Sequence, residues 1–400
     1  MTQQPVRQLF LRHVAQTSPS PLGLEVEKAE GLYLYGTNGE KWLDLISGIS
    51  VSNVGHRHPK VIEAIHAQLE KYMHLMVYGE FIQSPQVKLA AKLASIISSI
   101  DSVYFTNSGT EAIEGAIKLA RRYTGRKKIF SFKDAYHGST NGALSLMSNE
   151  YFSVPFYPLL PDVFHLTSGN HQELTNIDLD TAAVFVELFR GEAGAEVVDP
   201  TFLQDLRSRC TEVGALLVVD EIQTGFGRTG PFFASQGVGI IPDILVVAKG
   251  MGGGMPIGAF MSSKKIMDSL SDNPVLGHIT TFGGNAVCCA ASLATFDIIQ
   301  SLKTEERIPK LESVVRKTLV HPAIQSIRGK GMLLALVFPS DEFAQRVIAA
   351  CGKKWYHHRL VPFCGKPTSY LSPLTITEAE LLAACHVVLE AVDECYQLDL

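Results

Sequence analysis

Positive charge is not in excess in this sequence: the formal net charge is -5, and Lys and Arg are scattered with no block of five or more. The electrostatic footprint of a phosphate-backbone binder is missing, which excludes nucleic acid as the expected partner. Cysteine is sparse and unpatterned, seven residues with no CxxC spacing and an odd count. That argues against a metal cluster or a secreted disulfide framework and favours a reducing, cytoplasmic setting. The longest apolar runs, such as Leu216 to Val219 and Ile244 to Ala248, are strand-length, far short of a bilayer span. Internal repeats and low-complexity stretches are absent. His56-Arg57-His58 and His357-His358 lack acidic or thiol neighbours at metal-ligand spacing, so no metal is expected.

What remains is an ordinary soluble composition, 400 residues with 46% apolar and 19% charged content, enough for one large core and a smaller second domain. Residues 5 to 16 carry Arg7 and Arg12 with no acidic residue before Glu25, which faintly resembles a transit peptide. The plainer reading is an N-terminal helix docked on the body through Val6, Leu9, Phe10 and Val14.

Leu32 to Tyr35 and Trp42 to Leu45 flank Asn38-Gly39, the positive-φ pair of a tight hairpin. From His58 onward the pattern predicts helices over Val61 to Tyr72, Pro85 to Ser98 and Thr110 to Tyr123, and strands at Ser102 to Phe105, Lys128 to Ser131, Ala183 to Glu187, Leu216 to Asp220 and Ile244 to Ala248. Alternation of this kind implies an α/β fold with a mainly parallel sheet covered by helices. A long helix to about Ser301 ends at Lys303 to Arg307 and Pro309, a boundary signal. The expected domains are an N-terminal segment 1–55 contributing to a small domain, a large domain 56–300, and a small C-terminal α/β domain 301–400.

Two buried-type strands each end in one charge. Lys249 follows Ile244 to Ala248 and precedes Gly250-Met251-Gly252-Gly253-Gly254, at the sheet edge where parallel sheets bind ligands. A lysine desolvated there is a nucleophile for an aldehyde; by itself it fits a surface lysine equally well. Asp220 closes Leu216 to Val219, and a buried anion requires a cation, for which a protonated pyridinium serves. Gln223 lies within reach of a ring hydroxyl. A helix-capping Asp is the open alternative. Ser108-Gly109-Thr110 at the start of a helix forms a phosphate site or an ordinary N-cap. Tyr136 offers an aromatic face or a core ring. Gly225-Phe226-Gly227-Arg228-Thr229-Gly230 fits GxGxxG, but no strand leads directly into it and no helix opens after it.

Ser108-Gly109-Thr110-Glu111-Ala112, Tyr136-His137-Gly138, Asp220-Glu221-Ile222-Gln223 running on to Gly230, and Ala248-Lys249-Gly250 through Pro256-Ile257-Gly258-Ala259, taken together, resemble the class III aminotransferases from about Gly31 to Thr377. The order and the spacing of 29 residues from Asp220 to Lys249 carry the resemblance. It implies the fold type I architecture of pyridoxal-phosphate-dependent transferases and a homodimer. In it Lys249 would carry pyridoxal 5'-phosphate as an imine and act as acid and base, Asp220 would meet the pyridine nitrogen, and Gln223 the phenolic oxygen. Ser108, Gly109 and Thr110 would hold the phosphate, with Thr281 supplied across the subunit interface, Tyr136 stacked on the ring and Glu187 nearby. The implied reaction belongs to amino-acid metabolism: transfer from a small donor with a terminal amine, such as acetylornithine, ornithine or 4-aminobutyrate, to an oxo acid such as 2-oxoglutarate. An intramolecular aminomutase and a cofactor-binding protein without turnover are the alternatives.

Two departures concern the substrate. The family's carboxylate-binding Arg before Pro-Pro-Leu is missing from Thr368-Ser369-Tyr370-Leu371-Ser372-Pro373-Leu374, and Arg190 stands where Gln is usual, in Leu188-Phe189-Arg190-Gly191-Glu192. The expectation is that Arg190 grips a substrate carboxylate bidentately, gated by Glu192.

Overall fold

Leu216–Asp220 and Ile244–Val247 form adjacent parallel strands, buried on both faces, the environment in which a continuous apolar run is stable as a strand. They lie mid-sheet in the computed structural model, which describes residues 5–353, 359–361, 368–370 and 372–399. His357, His358 and Leu371 lie outside the described residues. The seven strands are ordered Ser102–Thr106, Gly258–Ser262, Ile244–Val247, Leu216–Asp220, Thr181–Glu187, Lys128–Phe132 and Val163–Leu166. Gly258–Ser262 is antiparallel to both neighbours, and the rest share one direction. Their carboxyl ends therefore converge on one edge. In the register, Asp220 stands beside Glu187 on one side and Val246 on the other.

The Gly109–Thr124 helix covers one face of this sheet. Ser108 caps it, its hydroxyl accepting the Glu111 N–H at 3.3 Å, and Gly125 ends it at φ 68°. Glu111 reaches back to the N–H and side-chain amide of Asn107 at 2.7 and 2.8 Å, so both orphan ends of the first turn are used. Ala112, Ile113, Ala116, Ile117 and Ala120 are buried toward the strands. Gly115 is there for proximity: a Cβ would meet the Phe260 ring at 2.1 Å. The close approach of helix and sheet presses the helix N-terminus onto the carboxyl edge.

The Asn38-Gly39 turn joins Tyr33–Gly36 to Lys41–Asp44 with Gly39 at φ 78°, and Val26–Glu30 adds a third antiparallel strand. Arg359–Val361 pairs parallel with Lys41–Asp44, so the two ends of the chain share a sheet. A separate antiparallel sheet joins Ser326–Lys330, Leu333–Val337 and Thr368–Tyr370. Two expectations change. Thr304–Thr318 is helical straight through Pro309; the break falls at Lys303 (φ 49°), where the axis turns 71° from the Ala286–Ser301 helix. The Val6–His13 helix forms but buries none of its residues, so the docking expected of Val6, Leu9, Phe10 and Val14 is not made among the described residues. Among the described residues no single helix is long and apolar enough to cross a membrane.

Candidate active site

Several strand ends at the carboxyl edge deliver functional groups to a cavity of about 460 Å³. Lys249 comes directly after Ile244–Val247 and Ala248, at φ 46°, a backbone region that costs a lysine strain and persists only where surroundings enforce it. Burial drives its ammonium pKa down, against the opposing pull of Asp220, Glu187 and Glu192. The side chain is thereby brought closer to the neutral, nucleophilic amine.

Asp220 is buried at the end of its strand. One carboxylate oxygen pairs with His137 Nδ1 at 2.7 Å and the other accepts the Ile222 N–H at 2.9 Å. His137 is wholly enclosed; burial alone would lower its pKa, but the bond to Asp220, the Asp220 charge and then Glu187 raise it. Its Nε2 has no hydrogen-bond partner among the described residues. Glu187, Asp220's register neighbour, accepts the Tyr136 N–H at 2.9 Å. Burial pushes the Glu187 carboxyl up to about 7; His137 pulls it back, and Asp220 adds to the rise. Three titratable groups thus share one enclosed volume, and their charges are interdependent.

Opposite stands the helix N-terminus. The first N–H groups of a helix have no partners within it and attract anions, and Ser108, Gly109 and Thr110, at this helix start, line the cavity. Thr110 and Thr140 share a hydroxyl–hydroxyl bond of 2.7 Å, and the Thr140 N–H donates to Thr110 Oγ1 at 3.2 Å. Gly138, at φ 128°, allows this: a Cβ there would meet Thr110 Oγ1 at 2.4 Å. Tyr136 and Ile222 contribute an aromatic and an aliphatic surface, and Gln223 lines the wall.

Ser108, Gly109, Thr110, Tyr136, Glu187, Asp220, Gln223 and Lys249 therefore all line one cavity. Arg190 and Glu192 do not. The Arg190 guanidinium is buried and occupied, Nη1 donating to the Lys133 carbonyl at 2.6 Å and Nη2 paired with Glu196, so it is not free to clamp a substrate in the cavity. Glu192 lines a neighbouring cavity of about 660 Å³ with Asp134, Glu196 and Arg328. Thr281 is exposed on the surface, outside its own chain's cavity. Reasoning from sequence assigned no role to His137; the available signal was a histidine shortly after a buried strand, where an enclosed imidazole requires a hydrogen-bond partner.

Pyridoxal 5'-phosphate presents an aldehyde, a ring nitrogen that gains from an anion, and a phosphate. An amine of lowered basicity, a buried carboxylate and a helix N-terminus around one cavity fit those three groups, and the tight Gly138–Thr110 contact shapes the anion end.

Comparison with known proteins agrees. The family described as Aminotransferase class-III matches residues 14–392. The acetylornithine aminotransferase of Archaeoglobus fulgidus is 37% identical over 384 residues, 94% of this chain and 98% of that protein. A LysW-aminoadipate semialdehyde/glutamate semialdehyde transaminase of Sulfurisphaera tokodaii is 40% identical over 320 residues, covering 78% of this chain and 81% of its own. The crystal structure of an ornithine aminotransferase from Toxoplasma gondii superimposes with a TM-score of 0.89 at 28% identity, over 98% of this chain and 94% of that one.

Proposed function

This chain belongs to the class III aminotransferases, pyridoxal-phosphate-dependent enzymes, and on that premise we propose how its residues divide the work and which amine it carries. Lys249 Nζ anchors the cofactor aldehyde. Ser108, Gly109 and Thr110 hold the phosphate, Tyr136 covers the ring, and Gln223 reaches the phenolic oxygen. Asp220, oriented by His137 and the Ile222 N–H, meets the ring nitrogen. Bound in this way, the cofactor supplies an electron sink for negative charge at the carbon that bears the transferred amine. With the cofactor in place, Lys249 Nζ would be the base that takes the proton from that carbon and the acid that gives it back, a task suited to an amine of lowered pKa.

The donor is a small molecule with a terminal amine, in the class of acetylornithine, ornithine or 4-aminobutyrate, and the acceptor an oxo acid such as 2-oxoglutarate. The names of the relatives support a terminal-amine donor. A homodimer follows from the same reading: Thr281 would complete the phosphate site of the other subunit, and the exposed apolar residues beside it, Phe282 and Ile279, favour a partner there.

The observation that carries the proposal is the meeting, in one cavity, of a lysine made less basic by burial with a buried carboxylate on the next strand. The holoprotein should show a visible absorption band that shifts with acetylornithine, and should form glutamate from 2-oxoglutarate. Borohydride should fix the cofactor on Lys249, and Lys249→Ala should lower turnover by at least about a thousandfold. A spectrum indifferent to every amine in a donor panel would sink the reading.

A further inference from the structure

Arg190 occupies a position where the resemblance leads one to expect Gln, and its guanidinium is engaged away from the cavity. After Thr181–Glu187 the chain makes a short hairpin, Phe189–Arg190 against Glu196–Val197, with Arg190 and Glu196 directly opposed. Across this rung Arg190 Nη2 pairs with the half-exposed Glu196 carboxylate, which fixes the guanidinium plane. The other arm of the fork, Nη1, donates to the Lys133 carbonyl at 2.6 Å.

Lys133 opens the loop that leads from the Lys128–Phe132 strand to Tyr136. The loop's own bonding is slight: Asp134 sits at φ 59°, and its inner bond, Ala135 N–H to the Phe132 carbonyl, is long at 3.3 Å, so it is held from outside, by the Lys133 N–H on the Leu166 carbonyl at 2.8 Å and the Asp134 N–H on Ser148 Oγ at 3.1 Å as well as by Arg190. At its far end the Tyr136 N–H is held by Glu187 at 2.9 Å. One four-residue stretch, Glu187 to Arg190, thus grips both ends of the loop that carries the aromatic wall of the cavity. Gln could reach the carbonyl but could not simultaneously ion-pair with Glu196 through a rigid planar fork.

We propose that Arg190 is a positioning residue for Tyr136: with Glu187 it staples the Lys133–Tyr136 loop and so sets the aromatic face against the cofactor. This rests on the reading of the cavity as the pyridoxal-phosphate site. Charge-assisted hydrogen bonds of this kind are strong enough for their loss to weaken cofactor binding by about tenfold or more.

The test uses the holoenzyme and four variants: Arg190→Met, Arg190→Lys, Glu196→Gln and Tyr136→Ala. Cofactor affinity and the visible circular dichroism of the bound cofactor, which reports how asymmetrically its ring is held, are measured for each. Arg190→Met should bind cofactor about tenfold more weakly with a diminished dichroic band. Glu196→Gln, on the exposed partner, should give a smaller loss in the same direction, and Arg190→Lys should restore part of it. In the Tyr136→Ala background, Arg190→Met should add little, because the face it positions is gone. Equal losses in both backgrounds overturn the proposal. So does an unchanged dichroic band with a raised KM for the amino donor or oxo acid, which would put Arg190 on the substrate. A parent protein that takes up no cofactor overturns the cavity reading and this proposal together, whereas uptake with indifferent Arg190 variants overturns this proposal alone.

Discussion

Replacing Glu187 by Gln should remove a pH-dependent cost from the cofactor-free protein. Burial pushes this carboxyl from an ordinary 4.5 to about 7, a shift worth roughly 3 kcal/mol at about 1.4 kcal/mol per unit. Below 4.5 both folded and unfolded chains hold the proton, and the group costs nothing. As pH rises toward 7 the unfolded chain releases its proton while the folded one retains it, so stability is lost progressively; above 7 the full cost is present. Gln keeps the size and an acceptor for the Tyr136 N–H but has no proton to lose. His137 moves the other way, because Glu187 is one of the anions that raise it, and this coupling trims the gain. With an unfolding entropy of about 2.1 cal/mol/K per residue over 400 residues, roughly 3 kcal/mol corresponds to about 3–4 °C. Scanning calorimetry of the apoproteins should therefore show the melting temperature of Glu187→Gln, relative to the parent, rising by up to that much between pH 5 and pH 8. A difference that stays flat within a degree across this range would refute the reasoning.

Asp220→Asn leaves the shape of the site but removes the anion that faces His137 at 2.7 Å. Turnover should drop about ten- to a hundredfold, and the imidazole, followed by NMR in the apoprotein, should titrate at lower pH than in the parent; an unmoved His137 would refute the assigned pairing. Gly115→Ala places a methyl 2.1 Å from the Phe260 ring, an overpacking that should cost about 1–3 kcal/mol. Because the helix carries Ser108, Gly109 and Thr110 at its start, cofactor affinity should fall with it; a variant as stable as the parent would show that helix and sheet can part freely.

The strands buried on both faces were the readable part of the fold. Leu216–Asp220 has the expected bounds, and Ile244–Val247 stops one residue earlier than read. The Gly109–Thr124 helix was bounded within a residue at each end because Ser108 and Gly125 mark its limits chemically. The reversed direction of Gly258–Ser262 was not foreseen, although its cause lies in plain view. Ten residues separate Val247 from Gly258, too few for the dozen or so that a parallel crossover needs. Pro309 misled for a different reason. Proline disfavours helix through the residue before it and through its missing N–H, yet packing of Ile308 and Leu311, both buried, keeps Thr304–Thr318 helical.

Lys249 and Asp220 were legible because a single charge at the end of an apolar strand has few ways to be satisfied, and a ligand is one of them. Partnerships across the chain were not. Asp220 meets His137 from 83 residues away, and Arg190 meets Lys133 from 57; no local pattern encodes either distance. Arg190 also shows where reasoning from valence alone fails. A guanidinium was read as a receptor for a carboxylate because that is the anion a substrate would bring. The fold supplies its own carboxylate, on Glu196, and a carbonyl beside it. A buried cation first requires acceptors from the protein that encloses it, and one whose two terminal nitrogens are already engaged, on Lys133 and Glu196, acts on a ligand through what it holds in place. Here that is the loop bearing Tyr136, so the same residue that fails as a clamp retains a route to the chemistry, one side chain removed.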